Sequence, residues 1–231
     1  QTNLIAQVSL HDELRKRKSI EKYVHFTTPE VYGDTNNDWI RENKQFAPST
    51  PYAVSRASCD LHLESFFKAY NFPVVFTRAA NVFGPGQQLY RIVPRSILSC
   101  INGKKLDLHG GGLSERSFIH ISDTIEATIK IALEAEPGNS YHISTNESIS
   151  IKGLVQKICN LMEVDYEVIV NITEDRLGKD QSYLLNSDKL REQFNWTEKY
   201  NLNDGLIDTI KWVKENNKIM TKLSWDYFHK A

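Results

Sequence analysis

The chain has 231 residues, of which 40% are apolar and 25% charged, and its formal net charge is −1. That length buries one large core or two small ones. The near-neutral balance excludes the basic field of a nucleic-acid binder and the acidic tract of a solvating tail. Cys59, Cys100 and Cys159 lack CxxC or zinc-ligand spacing, which points to reduced thiols in a cytoplasmic protein. No apolar run reaches membrane-spanning length, the first residues carry no signal-peptide pattern, and Asn171-Ile172-Thr173 reads as a chance glycosylation-type triplet.

In chain order, Leu4, Ile5, Val8 and Leu14 set a helical apolar stripe running into the basic cluster Arg15-Lys16-Arg17-Lys18, where cations suit a helix C-terminus. Tyr23-Val24-His25-Phe26 reads as a short buried strand leading into Thr27-Thr28-Pro29. A polar loop over 34–49 follows. Pro51 suits the first turn of a helix carrying Tyr52 through Tyr70. Residues 73–77 are strand-like and 81–90, rich in Gly and Gln, form another loop. This alternation predicts a parallel sheet with helices on its faces.

The later half is mixed. A helix is expected over 92–101, a strand over 105–109, and a helix capped by Ser122 or Asp123 running to about Glu136. Tyr141-His142-Ile143 is a strand, and Ser150 caps a helix bearing Leu154, Ile158 and Leu161. Residues 166–172 alternate as a strand should, and helices follow over 187–194 and 204–216. No GxGxxG sits on a strand-to-helix turn; Gly110-Gly111-Gly112, the one glycine cluster, leads toward Arg116 instead.

Tyr52 and Arg56 lie four apart near a helix start, on one face. A phenol beside a permanent cation is expected to have its pKa lowered toward working pH, where it can take a proton from a sugar hydroxyl. Spacing alone fits an ordinary surface pair better. Thr28 and Glu30 follow a buried strand, at the sheet end where ligands bind. There the threonine can orient a hydroxyl and a partly withdrawn glutamate can act as a base; both also suit a plain turn. Arg91, Arg116 and Arg176 sit in or beside loops and could hold a diphosphate, as guanidinium does well. Asn81 could donate to a phosphate or shape the turn before Gly84-Pro85.

Taken in order, Thr28-Pro29-Glu30-Val31-Tyr32-Gly33, Tyr52-Ala53-Val54-Ser55-Arg56 and the segment from Arg78 through Asn81 to Gly86 resemble the extended short-chain dehydrogenases. Within them the chain is most similar to the dTDP-glucose 4,6-dehydratase branch. The stretch from Ser114 to Asp123 and the one from Glu174 to Asp180 are similar to two further family segments.

The resemblance implies a Rossmann-like, doubly wound parallel α/β sheet with a smaller mixed α/β substrate-binding domain. Residues 1–90 would be the C-terminal part of the NAD-binding domain with the catalytic residues. Residues 91–231 would mainly bind nucleotide-sugar, with some segments returning to the sheet. The family's Gly-rich βα units, about thirty residues each, are expected before Gln1. In the implied reaction NAD oxidises C4 of the hexose, water leaves across C5 and C6, and hydride returns to C6. Tyr52 would be the C4 base with Thr28 as its partner, and Glu30 would take the C5 proton. Tyr52, Arg56, Ala79 and Ala80 would meet the cofactor, and Asn81, Arg91, Arg116 and Arg176 the nucleotide diphosphate. A homodimer through the first helix and the Tyr52 helix is implied as well, with no nucleic-acid or membrane partner.

Two positions depart from the pattern. Arg56 stands in place of the usual lysine and keeps its charge in a different geometry. Pro29 stands where the dTDP-glucose enzymes place an acidic residue, so Glu30 would serve as both base and acid. A nucleotide-sugar epimerase, a UDP-glucuronate decarboxylase and a catalytically weakened nucleotide-sugar-binding homologue are the alternatives.

Overall fold

The computed structural model describes residues 4–174 and 180–226. Helix α1 (Ile5–Arg15) ends on the basic cluster, where Arg15 Nη2 and Lys16 Nζ donate to Asp12 and Glu13 one turn back. Strand β1 (Tyr23–Thr27) runs into a 3-10 turn over Pro29–Tyr32, and β2 (Trp39–Ile40) is a short rung inside the expected loop. Helix α2 (Pro51–Tyr70) starts on Thr50, whose hydroxyl accepts from the Ala53 N–H at 3.1 Å. Asn71, left-handed with φ 53°, ends it. Strand β3 (Val74–Ala79) is buried along its whole length, and β4 (Asn81–Phe83) follows in the segment expected to be loop.

Helix α3 (Ile92–Asn102), β5 (Leu106–His109), β6 (Glu115–Arg116) and β7 (Phe118–His120) lead to α4 (Ile121–Glu134). His120 caps α4 through Nδ1, not Ser122 or Asp123. Asp123 is committed elsewhere, accepting from the N–H groups of Lys199 and Tyr200 at 2.9 and 3.1 Å. Then come β8 (Ser140–Ile143), β9 (Ile149–Ser150) and α5 (Ile151–Leu161), capped by Ser150 as expected. The alternating stretch over 166–172 divides. Its first half is a helical turn, α6 (Tyr166–Ile169), because Asp165 caps it by accepting from the Glu167 N–H, and only β10 (Val170–Thr173) is extended. Strand β11 (Ser182–Leu185), α7 (Asp188–Phe194) and α8 (Leu202–Met220) complete the described chain.

The central sheet has the order β1-β3-β8, all parallel, and β4 pairs in parallel with β7. One face of the sheet buries Leu63, Phe72, Val74 and Phe76 beneath α2, and the other buries Val75, Ala127, Ile131, Ile143 and Leu190 beneath α4 and α7. A second core forms where α3, α5 and α8 pack Val93, Ile97, Leu154, Ile158, Leu206, Ile210 and Val213 together. Each such side chain contributes roughly 1.5–3 kcal/mol by leaving water. The remaining sheets are small: the parallel pair of β5 with β10, and the mixed β2-β11-β6-β9. Segments from both halves of the chain thus meet at the carboxyl ends of β1 and β3.

Candidate active site

Thr28 leaves β1 in extended geometry and its hydroxyl accepts from the Glu30 N–H at 3.3 Å, opening the 3-10 turn. Gly33 closes that turn at φ 69°, and a Cβ built there would lie 2.2 Å from the Ala47 carbonyl oxygen. The turn is therefore held between β1 and the 47 segment, whose Ala47 N–H donates to Val31. Pro29 is buried and Glu30 half-buried.

Burial first, then the nearby charge of Asp180, pushes the Glu30 carboxyl above the ordinary carboxylate range; Arg116 and Arg91 oppose this. The expected partly withdrawn glutamate is present. Tyr52 behaves differently from expectation. Its phenol is held above the usual range, because burial outweighs the lowering by Arg56, and Glu30 adds to the rise while Arg91 opposes it. Arg56 Nη2 donates to the Phe26 carbonyl at 2.7 Å, which ties the guanidinium to β1. Tyr52 remains 47% exposed at the mouth of the site.

Arg116 is buried, with three guanidinium bonds to the carbonyls of Glu115, Gln181 and Asp180 at 2.7, 2.8 and 2.9 Å. Its charge reaches Glu30, but its hydrogen bonds serve the 180–183 segment. Arg91, exposed at the N-terminus of α3, lies with its guanidinium carbon 5.4 Å from the Tyr90 ring centre. Its charge reaches both Glu30 and Tyr52. Ala79, the last residue of β3, and Ala80 after it have small side chains and are 5% and 7% exposed. Asn81 begins β4, its N–H donating to the Ser117 carbonyl at 3.0 Å. Arg176 lies outside the described residues.

Thr28, Glu30, Tyr52, Arg56, Arg91 and Arg116 are thus brought to one place. Asp180 and Tyr183 were not predicted as site residues. The Tyr183 hydroxyl donates to Asp180, as does Ser49 Oγ at 2.7 Å, and Asp180 and Tyr183 both lie within electrostatic reach of Glu30. Asp180 sits in a segment already resembling a family motif; Tyr183 carries no sequence signal, because β11 pairs only with distant residues. Beside Arg91 a cleft of about 370 Å³ opens between α3 and β5, lined by Tyr90, Ile92, Arg95, Leu106 and Leu108 among others. No helix among the described residues is long and apolar enough to cross a membrane.

A family model described as GDP-mannose 4,6 dehydratase matches residues 1–209. The dTDP-D-glucose 4,6-dehydratase of Mus musculus is 32% identical over 202 residues, covering 85% of this chain. The chain spans 57% of that relative's length. A crystal structure of dTDP-glucose 4,6-dehydratase from Bacillus anthracis in complex with NAD superposes with a TM-score of 0.89 at 31% identity, over 94% of this chain and 69% of that one. The Streptomyces venezuelae dTDP-glucose 4,6-dehydratase with NAD and TYD bound gives 0.90 at 26% identity, over 94% and 67%. The expected Rossmann-like α/β fold is the fold of these structures.

Proposed function

We propose that this chain, which belongs to the GDP-mannose 4,6 dehydratase family, forms the catalytic and sugar-binding portion of an NAD-dependent nucleotide-sugar 4,6-dehydratase. One observation carries the reading: a half-buried carboxylate, Glu30, lies within electrostatic reach of a phenol, Tyr52, at the carboxyl end of a parallel sheet. A C4 oxidation followed by C5 deprotonation needs two such groups on one sugar.

The residues present fit the nicotinamide end of NAD. Ala79 and Ala80 offer small side chains at the end of β3, and Tyr52 and Arg56 lie in the first turns of α2. When bound, NAD supplies the hydride acceptor for C4 and later the donor for C6. Tyr52 takes the C4 hydroxyl proton, with Thr28 donating its hydroxyl to orient the sugar. Glu30, poised above the ordinary carboxylate range, takes the C5 proton made acidic by the C4 ketone. Because Pro29 has no proton to give, Glu30 returns the proton to the departing C6 hydroxyl.

Asn81 and Arg91, with Arg176, hold the diphosphate, while Arg116 adds charge and fixes the 180–183 segment. The cleft beside Arg91 takes the nucleoside. Residues 1–90 carry the catalytic groups and 91–231 mainly the nucleotide-sugar. The exposed Ile5, Leu10, Val54 and Leu61 on α1 and α2 suit a homodimer, readable by light scattering. Cysteines without a disulfide among the described residues suit the cytoplasm.

The test is turnover of dTDP-, GDP-, CDP- and UDP-hexoses by the complete gene product with NAD. A product lighter by one water, with a 4-keto group, is expected. Carbon dioxide release or an unchanged mass with inverted stereochemistry would instead indicate decarboxylase or epimerase. A second reading, a weakened homologue that binds without turnover, is favoured by the raised Tyr52 phenol and by Pro29; binding with no product in any arm would establish it.

A further inference from the structure

The candidate catalytic and cofactor-binding groups lie on α2, on β1 with the turn that follows it, and at the end of β3, and one buried ion pair reaches all three. Asp60 lies on α2, eight residues beyond Tyr52 and four beyond Arg56, and is fully buried. Its Oδ2 accepts from Arg78 Nη2 at 2.7 Å, and its Oδ1 lies 3.1 Å from His25 Nε2. His25 is on β1, three residues before Thr28. Arg78, 1% exposed, is on β3 directly before Ala79. Arg78 also donates through Nη1 to Ser140 Oγ on β8 at 3.1 Å. Its guanidinium carbon lies 5.2 Å from the centre of the Tyr32 ring, in the turn that holds Glu30.

Burying such a pair costs solvation of both ions, and apolar residues of equal volume are often as stable. Arg78 Nε, also buried, has no hydrogen-bond partner among the described residues, so the pair is not optimised for stability. What it supplies is direction. Charge-assisted bonds fix donor and acceptor positions, a directionality that apolar burial lacks. A displacement of about 1 Å between reacting groups can cost on the order of a hundredfold in rate.

We infer that Asp60 and Arg78 are positioning residues for the dehydratase reaction, fixing the Tyr52 helix in register with the strands that present Thr28, Glu30 and Ala79. The inference rests on the reading above. Neither residue meets substrate; both act through the helix and strands they join.

The experiment is Asp60→Asn in the complete gene product, compared with wild type for kcat per NAD-loaded site and KM for the nucleotide-sugar. A kcat at least about tenfold lower with KM within about twofold is expected. An unchanged kcat, or a loss carried by KM, overturns the inference. If Asp60→Asn does not fold, Asp60→Glu reads the same quantity, since it keeps the charge and displaces it by one methylene. A wild type without turnover removes the dehydratase reading instead. Positioning is then read from carbon-13 NMR of the Tyr52 phenol, assigned with Tyr52→Phe: a titration moved by Asp60→Asn supports it, and an unmoved one overturns it.

Discussion

The guanidinium carbon of Arg116 sits 4.3 Å from the centre of the Tyr183 ring. The two residues are register partners of the parallel strands β6 and β11, so the contact runs across one rung of that small sheet. Arg116 is also the donor for three backbone carbonyls. In Arg116→Ala those acceptors lose their partner, each at about 1–3 kcal/mol where burial persists. The urea midpoint of unfolding should fall by the equivalent of at least about 2 kcal/mol. Arg116→Lys should recover only part of that, because an ammonium cannot match the guanidinium fork. An unaltered midpoint in Arg116→Ala would show that the clamp is not a stabilising feature.

Asp180 raises Glu30 by like charge. A base must be ionised to act, so the acid limb of kcat/KM should lie above the ordinary carboxylate value, with activity lost as pH falls through it. Asp180→Asn removes the repulsion, and the limb should move to lower pH. A limb that stays in place would mean that Glu30 is not the titrating base, or that burial alone sets its proton affinity.

Much of this arrangement was legible because local chemistry dictates it. Pro51 announces α2, Ser150 announces α5, and the apolar run after Phe72 is buried as its composition demands. What escaped reading has non-local causes. Strands β2, β6 and β11 are two to four residues long and exist through pairing with residues far away in the chain. Asp165 turned an alternating stretch into a helical turn through a single cap. The phenol of Tyr52 went up instead of down because partial burial, which sequence does not display, exceeded the effect of a visible neighbour. Of Asp60 and Arg78 only the second gave a faint signal: a charge inside a mostly apolar strand.

Gly33 combines φ 69° with a backbone oxygen 2.2 Å from where a Cβ would stand. Gly33→Ala should therefore be strained twice, once by conformation and once by contact with Ala47, at about 1–3 kcal/mol for the backbone alone. Because the turn it closes presents Glu30, activity should fall along with the thermal midpoint. A variant as stable and active as wild type would show that the 47 segment yields freely.

Acid stability follows from two buried imidazoles. Burial first, then the charges of His25, His62 and Arg56, lowers His11 from 6.5 to about 4. Burial and Arg78 lower His142 to about 3. Both are neutral in the fold, while the unfolded chain takes up protons below about 6.5. Their contribution is complete above that pH and is lost as pH falls toward the folded values. The melting temperature should drop by several degrees between pH 7 and pH 4.5, and His142→Gln should show a shallower drop. An equally steep drop in that variant would assign the acid loss to other groups.

Arg56 makes the sharpest test of the Tyr52 assignment, since two forces on the phenol oppose each other. Burial and Glu30 raise it, while Arg56 and Arg91 hold it down. Removing one restraining cation should let the phenol rise further, so the pH at which activity reaches half its maximum should move upward in Arg56→Ala. Each unit of that movement lowers the rate at neutral pH by about tenfold. Arg56→Lys keeps the charge and should leave the profile close to wild type. It releases the 2.7 Å bond to the Phe26 carbonyl unless the ammonium reaches it. The two substitutions thus separate charge from tethering. A shift shared by both would come from the lost tether to β1, a shift confined to Arg56→Ala from the lost charge. Superimposable profiles in all three proteins would remove Tyr52 as the group that takes the sugar proton.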